Sequence, residues 1–373
     1  MGILCICFLI EYSFIYFHTL NTGVQMKHVK IVFAIIATLI GAGFASGQEI
    51  CSFFYVFGIK GIAGLTICNL LFTVIIYKVL VISQLNNIQD YKCFVELLVG
   101  KNGFIVNIIV NLFLVITFFI MVAGFGAYFA QEVKINTCIG SGIIACLCFF
   151  TFITNADGVI KVSSFLVPML IFFIVLIGFI NINSIDMCAV LDNLSNSNAS
   201  GLSWILSSVL YSSYNSILLI PILLSFKKQL NTKKDCYIVA IISGIILLLL
   251  SLSIFFMLAK VNVDTAKLEM PVIFVISNYY RSFIQIYAFI ILASIYTTAV
   301  SVGMGFIQNT FASSKFYPQF VLIMCITGFA VSGFGFSNLV TMLYPIFGYL
   351  GLIQIGLLLR RSDQWAVNGD GAN

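Results

Sequence analysis

The stretch Leu39–Ile50, LIGAGFASGQEI, interrupts an apolar run that is otherwise long enough to cross a membrane. It combines small and polar residues, namely Gly41, Gly43, Ser46, Gly47, Gln48 and Glu49. A helix exposed to lipid cannot leave its backbone amides unpaired, so a break is tolerated only where the chain faces protein or water. Glycine also lowers the cost of leaving the helical conformation. We therefore expect a broken helix here, with halves at 31–40 and 48–57.

The composition indicates a protein that lies mostly within a membrane. Of 373 residues, 61% are hydrophobic and only 8% are charged, which excludes an ordinary soluble domain. A spanning helix needs about 20 apolar residues, and the chain contains ten such segments. These predicted spans 1 to 10 are 31–57, 61–82, 104–130, 138–154, 159–181, 201–225, 236–259, 281–306, 316–334 and 337–359. The predicted fold class is an all-α polytopic membrane protein.

The distribution of basic residues predicts the orientation of the spans. Cytoplasmic loops hold an excess of Lys and Arg, and most of the 18 basic residues fall on one side if both chain ends are cytoplasmic. We expect a multi-pass protein of the inner (cytoplasmic) membrane. The net charge of +5 then follows from this topology and indicates no nucleic-acid partner. Residues 1–25 form a predicted N-terminal extension, with Met26 as an alternative start, and 362–373 form a polar tail.

Residue types that would indicate an enzyme or a resident cofactor are lacking. The 11 cysteines are odd in number and lack the Cys-x-x-Cys spacing of a zinc site. There are only two histidines, and no Gly-x-x-x-x-Gly-Lys-Ser/Thr loop that would bind nucleotide phosphates. We expect no catalytic activity and no cofactor, so any energy for transport must come from an ion gradient.

A second polar interruption lies in span 6, at Tyr211–Ser216. It begins ten residues after Gly201, and Gly41 lies ten residues after Ile31. Interrupted segments at corresponding positions of two halves point to a transporter binding site. Five spans in each half is an odd number, so the halves must insert with opposite topology. We predict repeats at 26–181 and 201–361, separated by an external loop at 182–200.

IGAGFASGQEI (40–50) and YSSYN (211–215) resemble the corresponding motifs of the YkvI-like amino-acid permeases. These proteins form a branch of the amino acid-polyamine-organocation superfamily, which has the LeuT-type fold. The resemblance covers the chain from Met26 to Arg361, and the first motif is the more specific. It implies a five-plus-five inverted repeat that holds its substrate between broken spans 1 and 6.

The backbone at two such breaks suits a zwitterion. Carbonyl ends of half-helices attract cations, whereas amide ends attract anions. An amino acid zwitterion would place its carboxylate on the amides at Ser46–Gln48 and its ammonium on carbonyls of spans 1 and 6; the predicted substrate is an amino acid or a related small amine. The predicted substrate-binding residues are Gly41, Ala42, Gly43, Phe44, Ala45, Ser46, Gln48, Glu49, Tyr211, Ser212, Ser213, Tyr214 and Asn215.

Span 8 carries hydroxyl groups that could bind sodium. Ser294, Thr297 and Thr298 are spaced i, i+3 and i+4, so they share one helix face. The resemblance to the LeuT-type fold implies a sodium ion there, completed by the carbonyls of Ala37 and Ile40. Alternatively, such hydroxyls bond to the preceding turn of their own helix. Sodium is the expected coupling ion.

Glu49 leaves the function open. Ser46-x-x-Glu49 has the spacing of a capping box, in which the carboxylate would return to the Ser46 amide. If Glu49 instead faces the site, an ionised carboxylate there would repel a substrate carboxylate. The leading hypothesis is sodium-coupled uptake of an amino acid or small amine by alternating access. The alternatives are proton-coupled transport of a cationic amine or polyamine through Glu49, and a channel or sensor on the same fold.

Overall fold

A computed structural model describes residues 23–85, 93–95, 97, 100, 103–154, 157–182, 202–226, 229–230, 232–260, 268–311 and 316–369. In these ranges the chain is helical apart from short turns. Eight of the described helices have the length and apolar composition to cross a membrane. Two shorter apolar stretches, His28–Leu39 and Pro168–Asn181, belong to spans 1 and 5. The predicted all-helical multi-pass architecture is confirmed.

The helices follow the predicted order. Span 1 comprises Gly23–Leu39, Ala42–Ala45 and Gln48–Phe53. Spans 2 to 10 are Ile59–Leu85, Gly103–Tyr128, Thr137–Thr154, Asp157–Ile182, Ser203–Ser225, Lys233–Leu258, Ile284–Phe311, Tyr317–Val331 and Phe336–Gly369. Short 3-10 or π turns extend several of them, at Tyr55–Phe57, Phe129–Val133, Arg281–Phe283 and Ser332–Phe334.

One helix, Pro271–Tyr279, has no counterpart among the predicted spans. It lies between spans 7 and 8, near the end of span 1 and the start of span 8. We call this end of the bundle the outer end, following the charge-based orientation, and we call Pro271–Tyr279 the outer helix. At nine residues it is too short to cross a membrane, so a search for spans about 20 residues long misses it.

The spans pack as two groups. Span 2 packs against spans 6 and 7, and span 1 also contacts both of these, whereas span 3 packs against spans 4, 8 and 9. Spans 5 and 10 each contact both groups. In the middle of span 1, the helical turn Ala42–Ala45 contacts spans 3 and 8. The interrupted part of span 1 therefore lies where the two groups of helices meet.

The inner half of span 1 is tied to span 7 at the opposite end of the bundle. Thr232 and Asp235 form a capping box at the start of span 7, with hydrogen bonds of 3.0 and 3.1 Å. The other carboxylate oxygen of Asp235 lies 3.1 Å from Nε2 of His28 in span 1. Asp235 therefore both caps span 7 and holds it against span 1.

Span 1 breaks where the sequence predicts, but span 6 does not break. Span 6 is one helix from Ser203 to Ser225, which corrects the predicted interruption at 211–216. Its polar side chains bond to carbonyls of their own helix: Ser212 and Ser213 to Val209, Ser216 to Ser213, and Asn215 to Tyr211. Serine and asparagine commonly bond in this way. A polar run therefore persists in the helix without opening the backbone.

Several predicted segments lie wholly or partly outside the described residues. These are residues 1–22 of the N-terminal extension, residues 183–200 of the predicted external loop and residues 370–373 of the polar tail. At the other end of the chain, span 10 continues as a helix to Gly369, into the predicted polar tail. The boundaries of the two repeats stay predictions.

Candidate substrate site at the break in span 1

The break in span 1 consists of two separate departures from helical geometry. The first helix closes with a 2.8 Å bond from Ile40 N to Ile36 O, and Gly41 is then extended, with φ −82° and ψ −175°. One helical turn follows at Ala42–Ala45. Gly47 then adopts the left-handed conformation, with φ 79°, before the chain re-enters a helix at Gln48. A side chain at Gly47 would be strained in this conformation.

The break leaves backbone groups without helical partners. A helix end leaves four carbonyls unpaired, and a helix start leaves four amides unpaired. The carbonyls of Ala37–Ile40 and the amides of Ala42–Phe44 thus lie on either side of Gly41 without helical partners. A Cβ added at Gly41 would meet no atom within 4 Å. Both a carbonyl end and an amide end are therefore available beside open space.

Glu49 lies inside the protein at this break. Only 5% of its surface is exposed, and Oε2 accepts a 3.0 Å hydrogen bond from the Tyr211 hydroxyl of span 6. A Cβ added at Gly43 would collide with Oε1, so the carboxylate lies directly against the Gly43 backbone. Among the described residues, no basic side chain lies within ion-pair distance of Glu49.

The predicted capping box at Ser46 and Glu49 is absent. The N-cap of Gln48–Phe53 is Gly47, and the Ser46 amide donates to Ala42 O. The Ser46 hydroxyl donates to Gly43 O at 2.9 Å and accepts from the Gln48 amide at 3.3 Å. Because Gly47 inserts a left-handed residue, Glu49 is turned toward span 6 and does not return to the Ser46 amide.

Aromatic rings surround the Glu49 carboxylate. The Tyr211 ring lies 5.3 Å from Phe53 and 5.0 Å from Phe54, both at the end of span 1. Tyr214 packs against Tyr211 at 5.3 Å and stacks on Tyr344 of span 10 at 4.6 Å. The enclosure therefore has an acidic centre and aromatic walls contributed by spans 1, 6 and 10.

The other predicted substrate residues are placed around this centre in different ways. Ala42, Gly43, Phe44 and Ala45 form the central turn of span 1 and are buried. Ser212, Ser213 and Asn215 are buried too, but their side chains bond within span 6. Tyr211 bonds directly to Glu49, and the Tyr214 hydroxyl also lies against the Glu49 carboxylate.

The predicted sodium ligands lie deeper in the bundle. Ser294 and Thr297 are each 5% exposed and Thr298 is half-buried. The Thr297 hydroxyl donates to Ser294 O at 3.1 Å. This is a bond to the preceding turn of its own helix, the alternative to sodium binding. The sodium assignment stays a prediction.

The register between spans 1 and 8 bears on that assignment. The buried Tyr287 hydroxyl of span 8 donates to Ala45 O at 2.7 Å. From this contact, Ser294 lies seven residues along span 8 and Ala37 lies eight residues back along span 1. The first separation is about 10 Å at 1.5 Å per residue, whereas the second crosses the extended Gly41. Since the two spans run in opposite directions, the hydroxyls and the carbonyl end both lie on the inner side of the contact between Tyr287 and Ala45.

A strap at residues 269–272 covers the outer side of the break. The Gln131 side chain at the end of span 3 pairs with both backbone groups of Met270, at 2.9 and 3.0 Å. Val272 N donates to Ser46 O at 2.9 Å, and a Cβ added at Gly47 would collide with the Val272 side chain. The strap therefore joins span 3 directly to the broken part of span 1.

The same strap reaches span 10. Glu269 Oε2 accepts from the Ser337 amide at 2.7 Å, in the first turn of span 10. A carboxylate is favourable there because the amides of a first turn lack helical partners. Gln48 Nε2 donates to the Ser337 hydroxyl at 2.6 Å. Spans 1, 3 and 10 are thus fastened together at the outer end.

A cavity of about 150 Å³ lies beside these bonds, between the end of span 1 and spans 6 and 10. Its lining residues are Ser52, Phe53, Ser203, Leu206, Ser207, Leu210, Thr341 and Pro345. Phe53 borders this cavity and also packs against Tyr211, so it separates the cavity from the Glu49 carboxylate.

Sequence reasoning missed residues from spans 3, 8 and 10 and from the strap. Tyr344, Tyr287 and Gln131 lie in apolar or helix-end contexts that resemble ordinary packing and interface positions. Glu269 had a visible signal, since acidic residues are rare in this chain. That signal did not identify its partner, because Ser337 lies 68 residues away.

The chain resembles two proteins of Bacillus subtilis (strain 168). It is 28% identical over 342 residues to a protein described as "Uncharacterized membrane protein YkvI", covering 88% of this chain and 94% of the relative. It is also 28% identical over 337 residues to the protein YyaD, covering 89% and 96%. A scan against models of known protein families finds no match.

Solved transporter structures share the fold. A variant of the manganese transporter of Eremococcus coleocola aligns with a TM-score of 0.64 at 16% identity, covering 91% of this chain and 80% of that chain. The inward-facing conformation of Mhp1 aligns with a TM-score of 0.51 at 12% identity, covering 88% and 73%. At these identities the likeness shows the fold alone. The chain is a multi-pass membrane protein with the LeuT-type fold.

Proposed function

We propose that this protein is a secondary active transporter that carries a small cationic amine, bound by Glu49, across the inner membrane with both chain ends cytoplasmic. The observation that supports this most is the buried Glu49 carboxylate at the break in span 1, hydrogen-bonded by Tyr211 of span 6. Ionisable side chains inside membrane bundles commonly mark substrate or proton pathways.

The charge of the site favours a cation. A buried carboxylate without a partner charge is costly, by several kcal/mol for an ion in a low-dielectric interior. Glu49 must therefore hold either a proton or a cation. The carbonyl end at Ala37–Ile40 adds negative partial charge at the break. A substrate carboxylate placed next to Glu49 would be repelled.

The coupling follows from competition for one carboxylate. A proton and an amine cation cannot occupy Glu49 together, so each displaces the other. With amine bound on one side of the membrane and a proton on the other, the simplest cycle is exchange of amine for proton. Alternating access moves the two groups of helices relative to each other about this site.

The test is uptake into proteoliposomes containing the full chain. A pH gradient should drive accumulation of a labelled amine, such as putrescine or ethanolamine, against its concentration gradient. Glu49→Gln should abolish accumulation, and Glu49→Asp should retain part of it. Uptake by Glu49→Gln equal to that of the unmodified protein would refute the proposal. Binding without accumulation would support a sensor instead.

A second candidate is sodium-coupled uptake of a zwitterionic amino acid. It is favoured by the unpaired amides at Ala42–Phe44, which suit a carboxylate, and by the register of Ser294 with Ala37. In this candidate Glu49 stays protonated. Uptake of an amino acid that requires sodium and ignores the pH gradient would favour it over amine exchange.

A further inference from the structure

The cavity beside the end of span 1 runs from the protein surface to a buried floor. Ser203 and Thr341 line it and are exposed, whereas Phe53 and Leu210 line it and are buried. Ser203 is the first residue of span 6, and Thr341 lies in the second turn of span 10. Both helices begin at the outer end of the bundle. The cavity therefore opens on the outer side and ends at Phe53 and Leu210.

The helix faces that line the cavity continue to the aromatic enclosure around Glu49. On span 6 the lining residues are spaced i, i+3, i+4 and i+7, so they share one face, and Tyr214 follows Leu210 by one turn. On span 10, Tyr344 directly precedes the lining residue Pro345. The rings of Tyr214 and Tyr344 stack at 4.6 Å. The lining residues of span 6 are Ser203, Leu206, Ser207 and Leu210.

Phe53 is the wall between the cavity and this enclosure. Its ring lies 5.3 Å from the Tyr211 ring and 5.7 Å from the Tyr214 ring, and Tyr211 bonds to Glu49. Phe53 ends the helix Gln48–Phe53, and the last carbonyls of a helix lack helical partners. The Ser207 hydroxyl donates to Phe53 O at 2.7 Å. Ser207 therefore fastens Phe53 to span 6.

The size and chemistry of the cavity suit a small amine in passage. It measures about 150 Å³, and a cavity of roughly this volume holds a molecule the size of benzene. Hydroxyl oxygens can accept hydrogen bonds from an ammonium group, while the apolar walls can pack against methylene groups. None of the lining residues is charged, so the cavity lacks the carboxylate that would hold a cation. Its hydroxyls belong to Ser52, Ser203, Ser207 and Thr341.

We propose that this cavity is the outer vestibule through which the amine reaches Glu49, and that Phe53 is the gate between them. The inference rests on the proposed amine transport and adds its route. For the amine to pass, the Phe53 ring must leave its contacts with Tyr211 and Tyr214. Ser207 is a positioning residue, because its bond to the Phe53 carbonyl keeps the gate closed.

The test is thiol labelling of the full chain in intact cells, with Glu49→Cys as the probe behind the gate. A membrane-impermeant cationic thiol reagent is added outside, and mass spectrometry identifies which cysteines have reacted. Reaction of a buried group follows the population of open states, so adding Phe53→Ala should speed labelling at position 49 by at least about tenfold. Adding Ser207→Ala should speed it by a smaller factor, because the Phe53 ring remains.

The matched control is Phe54→Ala. Phe54 also packs on Tyr211, at 5.0 Å, but it is not among the residues that line the cavity, so labelling at position 49 should stay slow. If Phe53→Ala does not fold, Phe53→Leu takes its place and should still accelerate labelling. An unchanged rate in a folded Phe53 variant, or equal acceleration by Phe54→Ala, overturns the gate.

The side from which the reagent enters tests the route. Labelling at position 49 that occurs only after the cells are permeabilised overturns an outer vestibule. None of these results depends on an amine, so each leaves amine transport standing. Absence of amine uptake by proteoliposomes instead overturns amine transport and the assignment of this cavity to an amine, whatever the labelling rates.

Discussion

The Tyr211 hydroxyl donates a 3.0 Å hydrogen bond to Oε2 of Glu49, although the two residues are 162 positions apart. Tyr211 belongs to span 6 and Glu49 to span 1, the first helices of the two repeats. The bond therefore joins the repeats at the break in span 1, with both side chains buried. Changes at either residue should affect ligand binding more than folding.

Tyr211→Phe should weaken amine binding about tenfold. The change keeps the ring that packs on Phe53 and Phe54 but removes the hydroxyl that orients the carboxylate and stabilises its charged form. A hydrogen bond to a charged group contributes about 1.5–3 kcal/mol. Calorimetry with putrescine measures the loss. Tyr77→Phe in span 2, away from Glu49, is the control, and equal affinity in the two variants would contradict this role for Tyr211.

Two glycines near the break should respond in opposite ways to alanine. Gly43→Ala should abolish ligand binding, because the added methyl group collides with the Glu49 carboxylate. Gly41→Ala should be tolerated, since its methyl group meets no atom within 4 Å and its extended conformation suits any residue. Restricting the unfolded chain can even add about 0.4–1 kcal/mol of stability. Thermal unfolding with and without putrescine distinguishes the two variants, because only Gly41→Ala should be stabilised by the ligand. An equal stabilisation of both variants by putrescine would argue against this geometry.

Gln131→Ala should loosen the strap over the break. It removes two hydrogen bonds and leaves the amide and carbonyl of buried Met270 unpaired, each at a cost of about 1–3 kcal/mol. Backbone hydrogen exchange in 268–279 should then accelerate by about tenfold or more. Mass spectrometry of the exchanged protein measures this rate, with Thr327→Ala as the control. Unchanged protection would show that other contacts hold the strap.

Thr298→Ala distinguishes the two coupling ions. If sodium binds between spans 1 and 8, losing this hydroxyl should abolish the sodium dependence of uptake and lower the stabilisation that sodium gives to the purified protein. Under amine–proton exchange through Glu49, the variant should transport normally. Thermal unfolding in sodium and in potassium reports binding, because a ligand at a hundredfold excess over its dissociation constant stabilises by about 2.7 kcal/mol.

Hydropathy and the glycines of span 1 were sufficient to predict the membrane architecture and the break at 40–47. Both predictions depend on local physics. Each segment must be apolar enough for lipid, and a backbone that leaves the helix needs residues that tolerate it. This reasoning is not sufficient for span 6, which was predicted to break and is continuous. Its polar residues resemble a break, yet their side chains bond to their own helix, and composition alone does not distinguish the two outcomes.

Only the tertiary structure decided where the polar groups point and what they meet. The left-handed Gly47 turns Glu49 toward Tyr211, whereas the spacing from Ser46 had suggested a capping box. The strap and Tyr344 join the site from distant parts of the chain. A local pattern determines whether a segment is helical and buried, but the partner of a buried side chain depends on how separate helices pack. The sequence by itself therefore determined the fold class and the break in span 1, and packing between the helices decided which side chains meet there.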